Sequence, residues 1–408
     1  MSQQGPVLVV SNHARPPFAA AFDEAGLFPV IDSSWADATR AVAQVQPALV
    51  LAAMEGASRP QCETLAYAVA GQQPYLPLIA IEPNGVVPAN AIPFTRAGDT
   101  GRLVARLRAA LRIRALHATV LRRLGDDPKA QGHLPDIDPL RDATVLLIGR
   151  GGAFPALSVA LGERAGVIGA FSIEAAASHL NTRDIDGVVL GEGFTARVED
   201  AFLTVLAEDA RFRNLPVIPT SGQLIPFHDL PNLEMIGGEP ALVAANALPL
   251  IRQRAFESQL SRSLRAIEAG GLLDPQSGLL TRTAFERDFA AAVGQAKSRG
   301  GGLSAARFAF DAANPRFLLD GARIVSRLMR RMDFGAVHGG SVIVVFAETD
   351  LRSAHGIARR LSSVMKQTSN GRRSRRAEPT VTIAELLPTD SPASLLARLH
   401  SGAQRAAS

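Results

Sequence analysis

The chain has 408 residues, of which 47% are hydrophobic and 20% charged, with 43 Lys+Arg against 38 Asp+Glu. This is the composition of globular protein with room for two to four domains. No apolar run reaches the ~18 residues of a membrane span, the opening residues lead us to expect no secretory leader, and one cysteine, Cys62, cannot form an internal disulfide.

Val7–Val10 is a short apolar run that predicts a buried strand. Helical spacing follows over Phe18–Leu27, a strand over Phe28–Ile31, a helix over Ala36–Val45 and a strand over Leu49–Leu51. Another helical stretch precedes strands at Pro77–Ile81 and Ala91–Phe94. Leu103, Leu107, Leu111 and Leu116 mark a helix. Short strands alternating with helices predict a parallel sheet covered on both faces. Residues 125–142, rich in Gly, Pro and Asp, read as a linker.

The rhythm then restarts. Strands are expected at Val145–Ile148, Val167–Phe171, Val188–Leu190, Pro216–Ile218 and Leu233–Ile236, with a helix from Pro155 to Gly166 and a long one from Ala241 to about Ala269. Position 11 matches 149 and position 52 matches 191; the offsets, 149−11 = 138 and 191−52 = 139, agree with an internal repeat. Each copy resembles the receiver domain of response regulators. That family carries acidic residues after strand one; Ser11-Asn12 and Gly149-Arg150 stand there. Its phospho-accepting Asp follows strand three; the matching positions are Ala52 and Gly191. The hydroxyl after strand four is matched by Ser221 or Thr220, and in the first copy Glu82 lies near that place. Thr95-Arg96 and Glu239-Pro240 occupy the place of the family's lysine. The resemblance implies two degenerate receivers that take no phosphate.

After Gly270-Gly271 comes LLDPQSGLLTRTAFERDF. Further on, Arg330 and Asp333 form R-x-x-D, five residues ahead of Gly339-Gly340, and Ser341-Val342 leads into an apolar strand. This layout resembles the GGDEF domain of diguanylate cyclases. Asp274, Gly278, Leu279, Arg282 and Phe285 match that family's opening pattern, with Ser277 for Thr and Thr281 for Asn. The resemblance implies a cyclic di-GMP site at Arg330 and Asp333. It adds a second arginine on the next helix, with Arg360 the best match and Arg359 the runner-up.

The family's catalytic letters are changed. Ala309 falls where its metal-binding Asp stands, with Asp311 at the pattern's second Asp. Gly339 and Gly340 are kept, while Ser341 and Val342 replace the hairpin acids. The guanine-binding segment is shortened, with Asp320-Gly321 as its remnant, and the C-terminal lysine is missing. In-line attack on phosphorus needs metal to neutralise developing charge, so no catalytic residue and no metal site are assigned.

The expected architecture is α/β, similar to the PleD-like response regulators. It comprises two flavodoxin-like receivers with parallel five-stranded sheets (1–124 and 143–257), a helical linker (258–272), and a GGDEF-type domain with a mostly antiparallel sheet (273–408). The implied function is an inactive cyclic di-GMP effector or adaptor that requires no cofactor and works through unidentified signalling proteins. A homodimer through the receivers, a cytoplasmic location, and no nucleic-acid or membrane partner are expected. The basic clusters Arg122-Arg123, Arg330-Arg331 and Arg372–Arg376 can hold phosphates, but only 5% of residues are aromatic, so surfaces for stacking bases are scarce. Two alternatives stay open: a diguanylate cyclase using GTP and Mg²⁺, and a dimeric scaffold that binds no nucleotide.

Overall fold

β1 (Val7–Ser11), β3 (Leu49–Ala53) and β4 (Leu78–Ile81) are almost unbroken apolar runs, and such strands need cover on both faces. In the computed structural model they join β2 (Val30–Ser34) and β5 (Ala91–Phe94) in a five-stranded parallel sheet, ordered β2-β1-β3-β4-β5. That is the flavodoxin-like order. α1 (Pro17–Glu24), α2 (Ala38–Val45), α3 (Arg59–Ala70) and α4 (Thr100–Gly125) cover it. Phe18, Phe22, Leu103 and Leu107 pack with Val7, Val9, Leu49 and Leu51. Val42, Leu65 and Val69 pack with Leu8, Val10 and Val50 on the other face.

The structure describes residues 6–12, 15–24, 29–95, 99–125, 138–220, 228–299, 302–311, 315–330, 333–347, 349–368 and 379–405. Most of the expected linker, Ser221, Arg96, Arg331 and the Arg372–Arg376 cluster lie outside these residues. The chain divides into two compact units. One comprises Met1–Gln131, Pro135–Ala176 and Ile185–Leu260; the other comprises Gly132–Leu134, Ala177–Asp184 and Ser261–Ser408. Among the described residues, no helix is long and apolar enough to cross a membrane.

The second parallel sheet is built from β6 (Thr144–Ile148), β7 (Gly166–Ala170), β8 (Gly187–Leu190) and β9 (Val217–Pro219). Its helices are α5 (Phe154–Gly162), α6 (Ile173–Thr182), α7 (Ala196–Glu208) and α8 (Pro240–Glu268). Among the described residues the sheet has four strands, ordered β7-β6-β8-β9, and not the five expected. Leu233–Ile236 contributes only a bridge from Leu233 to Val217. Glu234 N–H donates to the Val217 carbonyl and Ile236 N–H to that of Pro219. Pro219 has no N–H with which to continue the ladder.

The segment ahead of Ile236 is held by α4 instead. Arg106 is completely buried and donates from Nε to the Pro231 carbonyl at 2.6 Å, and from Nη1 to that of Pro93 at 3.1 Å. Its Nη2 reaches the Glu234 carboxylate at 3.0 Å. The other carboxylate oxygen accepts from Thr95 N–H at 2.9 Å and from the Thr95 hydroxyl. Arg102 donates to the Leu233 carbonyl. Burial pushes the Arg106 pKa down, and the adjacent carboxylate opposes that. A buried charge pair persists when its remaining donors and acceptors are satisfied, as they are here.

A third sheet is wholly antiparallel. It contains β10 (Leu303–Ala309), β11 (Phe334–His338), β12 (Ser341–Ala347) and β13 (Thr380–Glu385), ordered β11-β12-β10-β13. Its helices are α9 (Arg282–Arg299), α10 (Pro315–Leu328), α11 (Leu351–Thr368) and α12 (Pro392–Arg405). From β10 to β13 the order is βαββαβ, the ferredoxin-like arrangement. Alternation sorts the strands' side chains. Ala306, Phe308, Val342, Val344 and Phe346 pack with residues of α10 and α11. Leu303, Ala305, Ala336, Ile343 and Val345 pack with residues of α9 and α12.

Arg106→Leu strands the Glu234 carboxylate in a dry interior. The expected loss is about 3–5 kcal/mol, the usual cost of removing one partner from a buried pair. Urea denaturation measures it, and the double variant Arg106→Leu with Glu234→Leu is expected to recover much of the loss.

Candidate functional site

The loop opening the antiparallel domain is built around Asp274. Its carboxylate accepts from the backbone N–H groups of Gln276 and Ser277, at 3.3 and 3.0 Å. α10 clamps the same loop. Arg323 Nε donates to the Gln276 carbonyl, and the Ser326 hydroxyl to that of Gly278, each at 2.9 Å. Leu279 and Phe285 are buried, and Phe285 stacks on Phe289 at 5.5 Å between centroids. The opening pattern therefore has a complete structural role. Gly321 has one as well: a Cβ there would meet the Phe310 ring at 2.2 Å. Packing against Phe310 is thus one physical reason for a glycine at this position.

Arg330 follows the end of α10 and is exposed; Asp333 lies just ahead of β11 and is only 8% exposed. The Asp333 backbone N–H donates to the Arg330 carbonyl at 3.0 Å. The Asp333 carboxylate accepts from the Ala347 backbone N–H, yet its Oδ2 is buried without a partner. Burial pushes its pKa up, against the pull of that N–H and of the Arg330 charge. An anionic acceptor thus stands unsatisfied beside an exposed guanidinium.

Arg359 and Arg360 are both exposed on α11. At about 100° per residue they flank opposite sides of the buried stripe Ala354, Ile357, Ala358, Leu361 and Met365. Arg359 lines an open depression with Leu351, Arg352, His355 and Gly356.

The other end of β12 carries the hairpin. Gly339 and Gly340 have φ of +55° and +71°, and His338 pairs with Ser341 across them. A two-residue hairpin loop with positive φ at both positions strongly favours glycine. Gly-Gly is thus demanded by the turn, whatever chemistry stands beside it. Ser341 lies opposite Ala309 of β10. Val342 points to the opposite face, into the layer of α10 and α11, and is fully buried. The Mg²⁺ implied by the sequence resemblance does not fit these residues. Neither Ala309, Ser341 nor Val342 offers a carboxylate, and among the described residues no group of three His, Cys, Asp or Glu could hold a metal ion.

In the parallel sheets Ala52 is buried within β3, and Gly191 is buried just past β8. Arg150 sits at the end of β6, its guanidinium bonded to the Phe171 carbonyl and lying over the Phe194 ring at 5.6 Å. Asn12 Nδ2 is 3.5 Å from the Glu55 carbonyl. Thr220 donates its hydroxyl to the Leu190 carbonyl at 3.3 Å.

Three polar residues join the hairpin end that sequence motifs do not mark. His338 and His400 meet edge to face at 5.9 Å, brought together by β11 and α12. Arg307 does carry a signal, as the one charged residue in β10.

No protein-family model matches the chain, and no curated protein matches it. Solved structures resemble it in fold over about a third of its length. The GGDEF domain of DgcB from Caulobacter crescentus, in complex with c-di-GMP, is 18% identical over 33% of this chain and 89% of that one, with a TM-score of 0.30. The FimX GGDEF domain from Pseudomonas aeruginosa is 21% identical over 33% and 93%, with a TM-score of 0.29. The active GGEEF domain of a diguanylate cyclase from Vibrio cholerae is 18% identical over 30% and 87%, with a TM-score of 0.28. These are likenesses of fold alone.

The raised pKa of Asp333 has a stability consequence. Between the unfolded value near 3.9 and the raised folded value, the folded state binds more protons, so stability falls as pH rises through that window. Asp333→Asn removes the charge and its desolvation cost. It is expected to melt higher than the parent at pH 7, with the difference shrinking below pH ~4, as read by calorimetric melting across pH.

Proposed function

We propose that this chain is a catalytically inactive GGDEF-domain signalling protein that binds cyclic di-GMP at Arg330 and Asp333 and acts as an effector or adaptor through protein contacts. The observation that carries the reading is the contrast between the two ends of β12. At one end an unpartnered Asp333 oxygen lies buried beside the exposed Arg330. At the other, Ala309 faces Ser341 where carboxylates would be needed for metal. Six residue steps at ~3.3 Å put the ends about 20 Å apart. One can be kept while the other decays.

The chemistry of the first end suits the ligand. A guanidinium pairs with phosphate or a guanine edge through parallel hydrogen bonds, and a carboxylate accepts from guanine N–H groups. Arg360 serves as the second arginine in this reading. It flanks the buried stripe of α11 on the side away from Arg359, which belongs to the depression with Arg352 and His355.

The two parallel-sheet domains act in this proposal as receivers that no longer take phosphate. Ala52 and Gly191 offer no carboxylate to attack phosphorus. Their remaining role is to present surfaces, including one for a homodimer. The Arg106–Glu234 contact already occupies the surface joining α4 and β5 to the 231–234 segment within one chain, so a dimer would use other faces.

Calorimetric titration of the purified protein with cyclic di-GMP tests the proposal. Micromolar or tighter binding is expected. Arg330→Ala and Asp333→Ala are each expected to weaken it about 10–150-fold, the equivalent of ~1.5–3 kcal/mol for hydrogen bonds to charged groups. Incubation with GTP and Mg²⁺ is expected to give no cyclic di-GMP. Absence of binding by the intact protein refutes the effector reading and leaves a scaffold; product formation favours a cyclase.

A further inference from the structure

The hairpin end of the antiparallel sheet does more than lack carboxylates. Across one row on the face toward α9 and α12 stand His338, Ser341, Ala309 and Thr380, each the lateral partner of the next. Arg307 shares that face, two residues back along β10. Three atoms here are buried without a hydrogen-bond partner: Arg307 Nε, His338 Nδ1 and Ser341 Oγ. Ser341 is 1% exposed. Buried polar atoms are nearly always paired, so three orphans at one end of one face call for an explanation.

Their surroundings set the sign of charge that would satisfy them. His400 bonds through Nδ1 to the Leu396 carbonyl at 2.7 Å, leaving Nε2 4.0 Å from where a Gly339 Cβ would lie. Arg282 and His400 both disfavour the charged form of His338, together with burial, while Glu286 opposes them. The Glu286 carboxylate is already paired with Arg282 Nε at 2.8 Å. Guanidinium, imidazole and hydroxyl groups can all donate to phosphate oxygens. Ala309, Ser341 and the Gly-Gly turn put only small side chains at the centre of the row.

We propose that this face, formed by Arg307, His338, Ser341 and His400 with Arg282 at the rim, binds a phosphate-bearing anion without any metal ion. Where the sequence resemblance implies a cation held by acids, this chain has exchanged the sign of the site. The inference does not rest on cyclic di-GMP binding, because Arg330 and Asp333 lie at the other end of β12.

The test is calorimetric titration of the full chain with sodium tripolyphosphate, and separately with GTP, in buffer containing EDTA. Binding of tripolyphosphate is expected without metal. Equal affinities assign the site to the phosphates alone; a tighter GTP adds a nucleoside contact to the same phosphate site. Arg307→Gln is expected to weaken binding at least tenfold, and Ser341→Asp to abolish it through repulsion. His400→Gln, on α12, is the second variant should the strand variants unfold, and it is expected to weaken binding by removing one donor. Cyclic di-GMP titration of each variant shows whether the other end of the sheet is intact. No binding in EDTA, binding only with Mg²⁺, or affinity unchanged in Arg307→Gln and His400→Gln would overturn the proposal.

Discussion

The Gly339-Gly340 turn fixes the register of the antiparallel sheet, and the candidate chemistry of the domain follows from that register. With His338 locked opposite Ser341, every later pair along β11, β12 and β10 is determined. A slip of one residue would turn Val342, Val344 and Phe346 out of the layer of α10 and α11 and put Ser341 into it. The same register carries Ala347 to the far end, where its N–H meets the Asp333 carboxylate. One tight turn thus assigns a carboxylate to one end of β12 and the polar row of His338 and Ser341, with Arg307 close by, to the other.

That separation lets the two ends of β12 vary independently without disturbing the fold. β10 is central, paired to β12 on one side and β13 on the other, and its core comes from Leu303, Ala305, Ala306 and Phe308. Ala309 is its last residue, half-buried beside the turn. Replacing a charged group there removes an electrostatic burden and disturbs little packing. Asp333 is different, because its carboxylate is tied into the backbone of β12 and pays a desolvation cost even without ligand. A costly buried carboxylate that does no structural work elsewhere is the kind of residue that function retains.

Much of the fold was legible because its signals are local. The runs VLVV, LVLAA and LIAI are apolar at consecutive positions and can only be internal strands. Gly-Gly between two apolar runs announced a hairpin. The fifth strand expected in the second sheet fails for an equally local reason that pattern reading passes over: Pro219 withholds one N–H from the ladder. The packing of Phe310 on Gly321 is equally invisible in the sequence. The burial of Asp333 and the meeting of His338 with His400 depend on elements far apart in the chain, and no spacing rule reports them.

The Arg106–Glu234 pair also bears on how the two parallel sheets come apart. Its guanidinium rises from α4 of the first sheet, while its carboxylate and two of its carbonyl acceptors belong to the segment beside β9 of the second. If either sheet opened alone, the other would keep a half-buried ion with its partners gone. Partial opening therefore costs nearly as much as full opening, which merges two separate folding units into one. A pair of domains joined in this way is expected to resist separation by more than the area of its apolar contacts would suggest.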